Sequence, residues 1–150
     1  MLQATTELLR AGHDGAILVN ADSPTLPLPI LRAAVDVLSR GDNVVLSPAV
    51  DGGYTLVGMS KPHRRLFEDI PWSTSTVHQR TVERAHEIGL PVVNVPGWYD
   101  VDDGASLRML EEELSGRIPA FSKIAGADAP ATRRFFRQRQ RLAQGLGDCG

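Results

Sequence analysis

The period of the apolar positions changes several times along the chain. "AILVN" (Ala16 to Asn20) is a short continuous apolar run, the pattern of a buried strand in a parallel sheet. After the loop "ADSPTLPLP", the segment "PILRAAVDVLSRG" switches to helical spacing, with Ile30, Leu31, Ala34, Val35 and Leu38 on one face and Gly41 as its stop. "NVVLSPA" and "YTLVGM" read as strands on either side of Asp51-Gly52-Gly53, and Asp-Gly between apolar runs is a strong local signal for a β-hairpin. "TSTVHQRTVERAHEIG" predicts a helix opened by a Ser/Thr cap and closed by Gly89. "PVVNVP" is a further strand, and "DVDDGASLRMLEEELSG" leads an acidic loop into a helix capped by Asp102 or Asp103. Upstream, "TTELLRAG" (Thr5 to Gly12) reads as the end of a helix. Residues 118–128 have no clear period, and a last helix is expected from about Ala131 to Leu142.

The resulting order is helix, strand, helix, strand, strand, helix, strand, helix. Strands alternating with helices predict an α/β fold, a mostly parallel sheet with helices on both faces. In such folds ligands collect at the carboxyl ends of the strands. The loops expected there are "NADSPTLP", "AVDGGY" and "YDVDD", and all three contain aspartate.

Composition narrows this picture modestly. The chain has 150 residues, 42% hydrophobic and 23% charged, as expected of one globular domain. No apolar run approaches the length of a membrane span. The N-terminal residues lack a basic segment followed by an apolar core, so no signal peptide is expected. The lone Cys149 allows no internal disulfide, which fits a cytoplasmic protein. The net charge of −2 hides an asymmetry: residues 1–116 carry −7 and residues 117–150 carry +5. We therefore expect a body over 1–116 and a basic, partly helical extension over 117–150. The run "RRFFRQRQR" is read as a solvated helix with both phenylalanines docked on the body, because an acidic body argues against nucleic acid as the partner.

The aspartates are the main candidate chemistry. Mg²⁺ takes oxygen ligands, usually one or two carboxylates plus phosphates and water, and Asp22, Asp100 and Asp102 are the natural ligands. In an extended "DVD" segment, alternation places Asp100 and Asp102 on one side. Plainer readings compete: an Asx-turn or helix cap for Asp22, a cap for Asp102 or Asp103, and a simple turn for Asp51. Trp72 in "PWSTST" is either core or a stacking surface, with Ser73 and Thr74 capping the next helix. The chain has no GxSxG, HExxH, CxxC or P-loop pattern, and its four histidines are scattered.

Taken together and in order, "ILVNADSPTLP", "VVLSPAVDGGYTLVGM", "PWST" and "YDVDDGASLRML" resemble the C-terminal portion of the bacterial GT-A-like transferases of the selenodomain-associated type. That group is similar to the nucleotide-diphospho-sugar transferases and to the molybdenum-cofactor and deazaflavin-cofactor guanylyltransferases. The resemblance covers roughly residues 5 to 115. It implies that Asp22 and Asp102 hold Mg²⁺ or Mn²⁺ on a nucleotide diphosphate, with Asp100 close by. It implies that Asp51, Gly52, Gly53 and Tyr54 face the transferred group or the acceptor, with Asp51 orienting or deprotonating an attacking hydroxyl, and that Trp72, Ser73 and Thr74 line the rim. The activity implied is transfer from a nucleotide-sugar donor to a small-molecule acceptor; nucleotidyl transfer and a non-catalytic binding module are the alternatives. The related proteins begin with a strand and a basic nucleotide-binding loop, so we expect this chain to be the later part of a larger fold. Sheet edges left open by the missing part are expected to favour homo-oligomers.

Overall fold

The computed structural model describes residues 1–147. The element order is α1 (Leu2–Arg10), β1 (Ala16–Val19), α2 (Leu28–Leu38), β2 (Val44–Pro48), β3 (Tyr54–Met59), a 3₁₀ turn (Arg64–Phe67), α3 (Val77–Glu87), β4 (Val92–Asn94), α4 (Gly104–Leu114) and α5 (Pro130–Gly147). Cys149 lies outside the described residues. Among the described residues, no helix is long and apolar enough to cross a membrane.

The four strands form one sheet in the order β1-β3-β2-β4. β2 and β4 pair in parallel, whereas β3 is antiparallel to both of its neighbours, with Val57 opposite Leu18 on one side and Leu46 on the other. β1, β2 and β4 therefore run one way and the hairpin strand β3 runs against them. The fold is α/β, as the alternation predicted. The strand returned by the hairpin lies inside the sheet, so two of the three seams are antiparallel. A direct consequence is that the carboxyl ends of β1, β2 and β4 and the β2–β3 turn all lie on one rim.

The sheet is covered on both faces because its inner strands bury alternate residues to each side. Val45 and Leu56 pack with Ile30, Ala34 and Leu38 of α2, Leu110 of α4 and Phe136 of α5. Val44, Leu46, Val57 and Met59 pack with Leu66 of the 3₁₀ turn, Ala85 of α3 and Leu9 of α1. Several local expectations change. Val35 is 56% exposed rather than on the packed stripe of α2. No side chain caps α3: Thr76 holds the cap position without a side-chain bond to the helix amides, and the Thr74 hydroxyl donates to the Pro71 carbonyl at 2.7 Å. Only one of the two tail phenylalanines docks; Phe136 is in the core and Phe135 is 60% exposed.

β1 ends the strand order, and among the described residues no strand pairs with its outer edge. Val19 on that edge is exposed. A bare edge of this kind offers free backbone donors and acceptors to another chain.

Candidate functional site

The rim gathers the three acidic loops. Parallel pairing continues past the ends of β2 and β4 through a bridge between Ala49 and Trp98 and a bond from the Trp98 amide to the Pro48 carbonyl, 3.1 Å. This carries Asp100, two residues on, to the β2–β3 turn. One carboxylate oxygen from each of Asp51, Asp100 and Asp102 lies within 4.8 Å of the other two. Asp51 and Asp102 are exposed and Asp100 is half-buried. Asp22 is exposed on the neighbouring loop and is not one of the three.

Two bonds fix how the Asp22 and Asp100 loops meet. The Val101 amide donates to the Asp22 carbonyl at 2.9 Å, and the Ser23 hydroxyl donates to the Tyr99 carbonyl at 2.8 Å. Asn20, at the end of β1, points its amide nitrogen at Asp100 Oδ2, 3.5 Å away. Its other atom, Oδ1, is buried with no hydrogen-bond partner. Sequence reasoning gave Asn20 no role of its own, since an asparagine after a strand is ordinarily a turn residue.

The electrostatics follow from this crowding. Burial, and then the charge of Asp51, holds the Asp100 carboxyl above the usual carboxylate range; Asp102 and Asp22 push in the same direction, and a backbone hydrogen bond offsets part of the rise. Asp22 thus makes itself felt at the site by charge. A divalent cation relieves this kind of repulsion, and three carboxylates with this spacing are the hard oxygen donors that Mg²⁺ or Mn²⁺ prefers. The residues present fit such an ion.

The competing helix-cap readings separate cleanly. Asp103 is the cap of α4: its Oδ1 accepts the Ala105 and Ser106 amides at 2.9 and 2.8 Å, and the Ser106 hydroxyl accepts the Asp103 amide in return. These bonds hold the Asp103 carboxyl below its ordinary range. Asp102 is left to face Asp51 and Asp100.

The Asp51-Gly52-Gly53 segment is a turn, as the local pattern suggested. The Ala49 amide bonds the Gly53 carbonyl at 3.0 Å, and the Gly53 amide bonds Asp51 Oδ1 at 2.9 Å. The glycines were expected to admit a ligand. Gly52 instead has a φ of +95° and lies against the backbone of the "PWSTST" loop, where a Cβ would come 2.1 Å from the Ser75 carbonyl oxygen. The His78 amide donates to the Gly52 carbonyl at 3.0 Å, tying the turn to the first residues of α3. Trp72, Ser73 and Thr74 are therefore held beside the turn. All three are exposed, Trp72 at 44%, and Ser73 has a φ of +62°, which non-glycine residues rarely adopt outside constrained loops. Tyr54 turns inward from the same turn. Its hydroxyl is buried without a hydrogen-bond partner, and burial pushes its pKa up to about 12, against an opposing influence of the nearby Thr81 hydroxyl, which donates to the Val77 carbonyl.

Residues 1–74 match the bacterial family described as "Uncharacterized protein conserved in bacteria" (DUF2064). None of the curated proteins matches the chain significantly. Among solved structures, the chain is similar to a "putative nucleotide-diphospho-sugar transferase" from Desulfovibrio desulfuricans, with a TM-score of 0.73 and 27% identity. That match takes in 97% of this chain and 60% of the solved one, so the chain spans about three-fifths of the length of the structure it resembles. In fold the chain is therefore similar to this nucleotide-diphospho-sugar transferase-like, GT-A-like structure, and its first 74 residues match the bacterial family named above.

Proposed function

We propose that this chain carries the metal-holding and acceptor-facing part of a transferase that uses a nucleotide-activated sugar. The observation that carries the proposal is the meeting of Asp51, Asp100 and Asp102, with oxygens within 4.8 Å, on the carboxyl rim of a GT-A-like sheet. In this reading those three carboxylates hold Mg²⁺ or Mn²⁺. Asp51 takes the ligand position that the sequence resemblance assigned to Asp22, and Asp22 adds negative charge at the border of the site. Such an ion, when bound, supplies positive charge opposite the diphosphate of the donor. The protein's own part is to hold the carboxylates at this spacing. Asn20 steadies Asp100, the Gly53 amide steadies Asp51, and the cap on Asp103 fixes the α4 end of the loop. Trp72 offers an exposed aromatic face at the rim for a sugar or base.

The test is titration of Mn²⁺ by calorimetry, with and without a nucleotide-diphospho-sugar. The Asp100→Asn and Asp102→Asn variants should each weaken binding by about tenfold or more. Unaltered affinity in both would remove the metal assignment. In the same samples, release of a nucleoside diphosphate marks glycosyl transfer and release of pyrophosphate marks nucleotidyl transfer.

A further inference from the structure

A polar cluster buried beneath the rim is not used by the chemistry above. Glu113, on the last turn of α4, is 7% exposed, and a single one of its oxygens, Oε2, accepts two hydroxyls. One is Thr25, 2.7 Å away on the loop that follows Asp22; the other is Tyr99, the residue before Asp100. The Trp98 indole N–H donates in turn to the Thr25 hydroxyl at 3.3 Å. The fold clears space for this carboxylate: a Cβ on Gly126 would lie 1.7 Å from its other oxygen, Oε1, and that oxygen is buried without a partner.

We infer that Glu113 is a positioning residue, a buried bracket that holds the Asp100 loop against the Asp22 loop and so fixes where Asp100 and Asp102 stand in the acidic site. The inference rests on the metal-site reading for its functional consequence, though not for its structural one. A buried carboxylate is costly to desolvate, and apolar residues of similar size usually serve a core at least as well. What the carboxylate adds is direction. One oxygen holds two hydroxyls from segments 74 residues apart, Thr25 and Tyr99, and does so from a helix that begins at the site itself. Two further bonds between the same segments, Val101 amide to Asp22 carbonyl and Ser23 hydroxyl to Tyr99 carbonyl, form only if those segments are held at that separation. Glu113 therefore acts on Asp100 through Tyr99 and on Asp22 through Thr25.

The test compares Glu113→Leu, Glu113→Gln, Tyr99→Phe and Thr25→Val. Hydrogen exchange is read at the Val101 amide, with Leu46 and Val57 in the opposite core as references, and Mn²⁺ affinity is measured alongside. In Glu113→Leu the Val101 amide should exchange about tenfold faster with the references unchanged, and Mn²⁺ should bind about tenfold more weakly. Glu113→Gln, which keeps an acceptor oxygen, should recover most of both effects. Tyr99→Phe and Thr25→Val each remove one hydroxyl, and they decide the matter should the leucine variant fail to fold. Protection at Val101 that is unchanged, or that falls in step with Leu46 and Val57, overturns the bracket. If the native protein binds no Mn²⁺, the metal reading fails, and the exchange data still decide the bracket.

Discussion

Gly52 and Ser75 touch backbone to backbone: a Cβ on Gly52 would lie 2.1 Å from the Ser75 carbonyl oxygen. The hairpin turn and the start of α3 are thereby one unit, joined again by the His78 amide on the Gly52 carbonyl. The obstacle is main chain and cannot swing aside, and the φ of +95° is itself strained for any residue with a side chain. Gly52→Ala should cost about 3 kcal/mol in chemical denaturation. Gly53→Ala should cost less than about 1 kcal/mol, because its φ is not in the left-handed region and a Cβ would meet only the movable Asp51 carboxylate, at 3.2 Å. Equal losses in the two variants would contradict this division.

Phe136 and Phe135 divide the C-terminal helix into a buried and an exposed side. Phe136 packs into the core formed by α2, α4 and the sheet, whereas Phe135 is 60% exposed. Phe136→Ala should lose about 3 to 4 kcal/mol by removing buried area and leaving a cavity. Phe135→Ala should change stability by less than about 0.5 kcal/mol. A helix that merely floats beside the body would show no loss in Phe136→Ala either.

The sequence made the order of elements readable because each carries its own period: the apolar run of β1, the helical stripe of α2, and the Asp-Gly turn. The place of β3 between β1 and β2 was not readable. It depends on which strand β1 pairs with, and that choice is made across the chain, with Leu18 meeting Val57. The site shows the same division. That aspartates gather at the rim could be read from the loops. That Asp51 lies within reach of Asp100 and Asp102 depends on the Ala49–Trp98 bridge, a contact with no local signature. The Glu113 bracket was equally hidden. On a helix ending "MLEEEL", one glutamate looks like the next, and its partner Thr25 lies 88 residues away.

Asp102 and Asp103 are adjacent and do different work, which permits a clean separation. Asp103→Ala removes the acceptor for the Ala105 and Ser106 amides, so the thermal midpoint should fall by a few degrees while Mn²⁺ affinity falls less than in Asp102→Ala. Asp102→Ala should leave the midpoint nearly unchanged and weaken Mn²⁺ by about tenfold. The acid response of the cap has a defined sign. Its folded pKa is depressed by those bonds, so its stabilising effect is present above the unfolded value and is lost as pH falls through the folded one. Denaturation curves for the native protein and Asp103→Ala should therefore converge in acid.

Asp100 has the opposite sign, and it links stability to function. Burial and three neighbouring carboxylates raise its folded pKa above the unfolded value. The ionised form is thus penalised in the folded state. That penalty is fully present above the folded pKa and fades as pH falls towards the unfolded one. Asp100→Asn should consequently raise the thermal midpoint of the metal-free protein at neutral pH, an advantage over the native chain that shrinks on acidification. The same substitution should abolish most of the rise in midpoint that saturating Mn²⁺ gives the native protein, because a ligand that binds only the folded state stabilises it in proportion to its affinity. A native midpoint insensitive to Mn²⁺, together with an Asp100→Asn midpoint at or below the native one, would show that the three carboxylates are neither strained nor a metal site. Stabilisation by the asparagine with loss of the Mn²⁺ response is the pattern of a site that gives up stability to keep its carboxylates together.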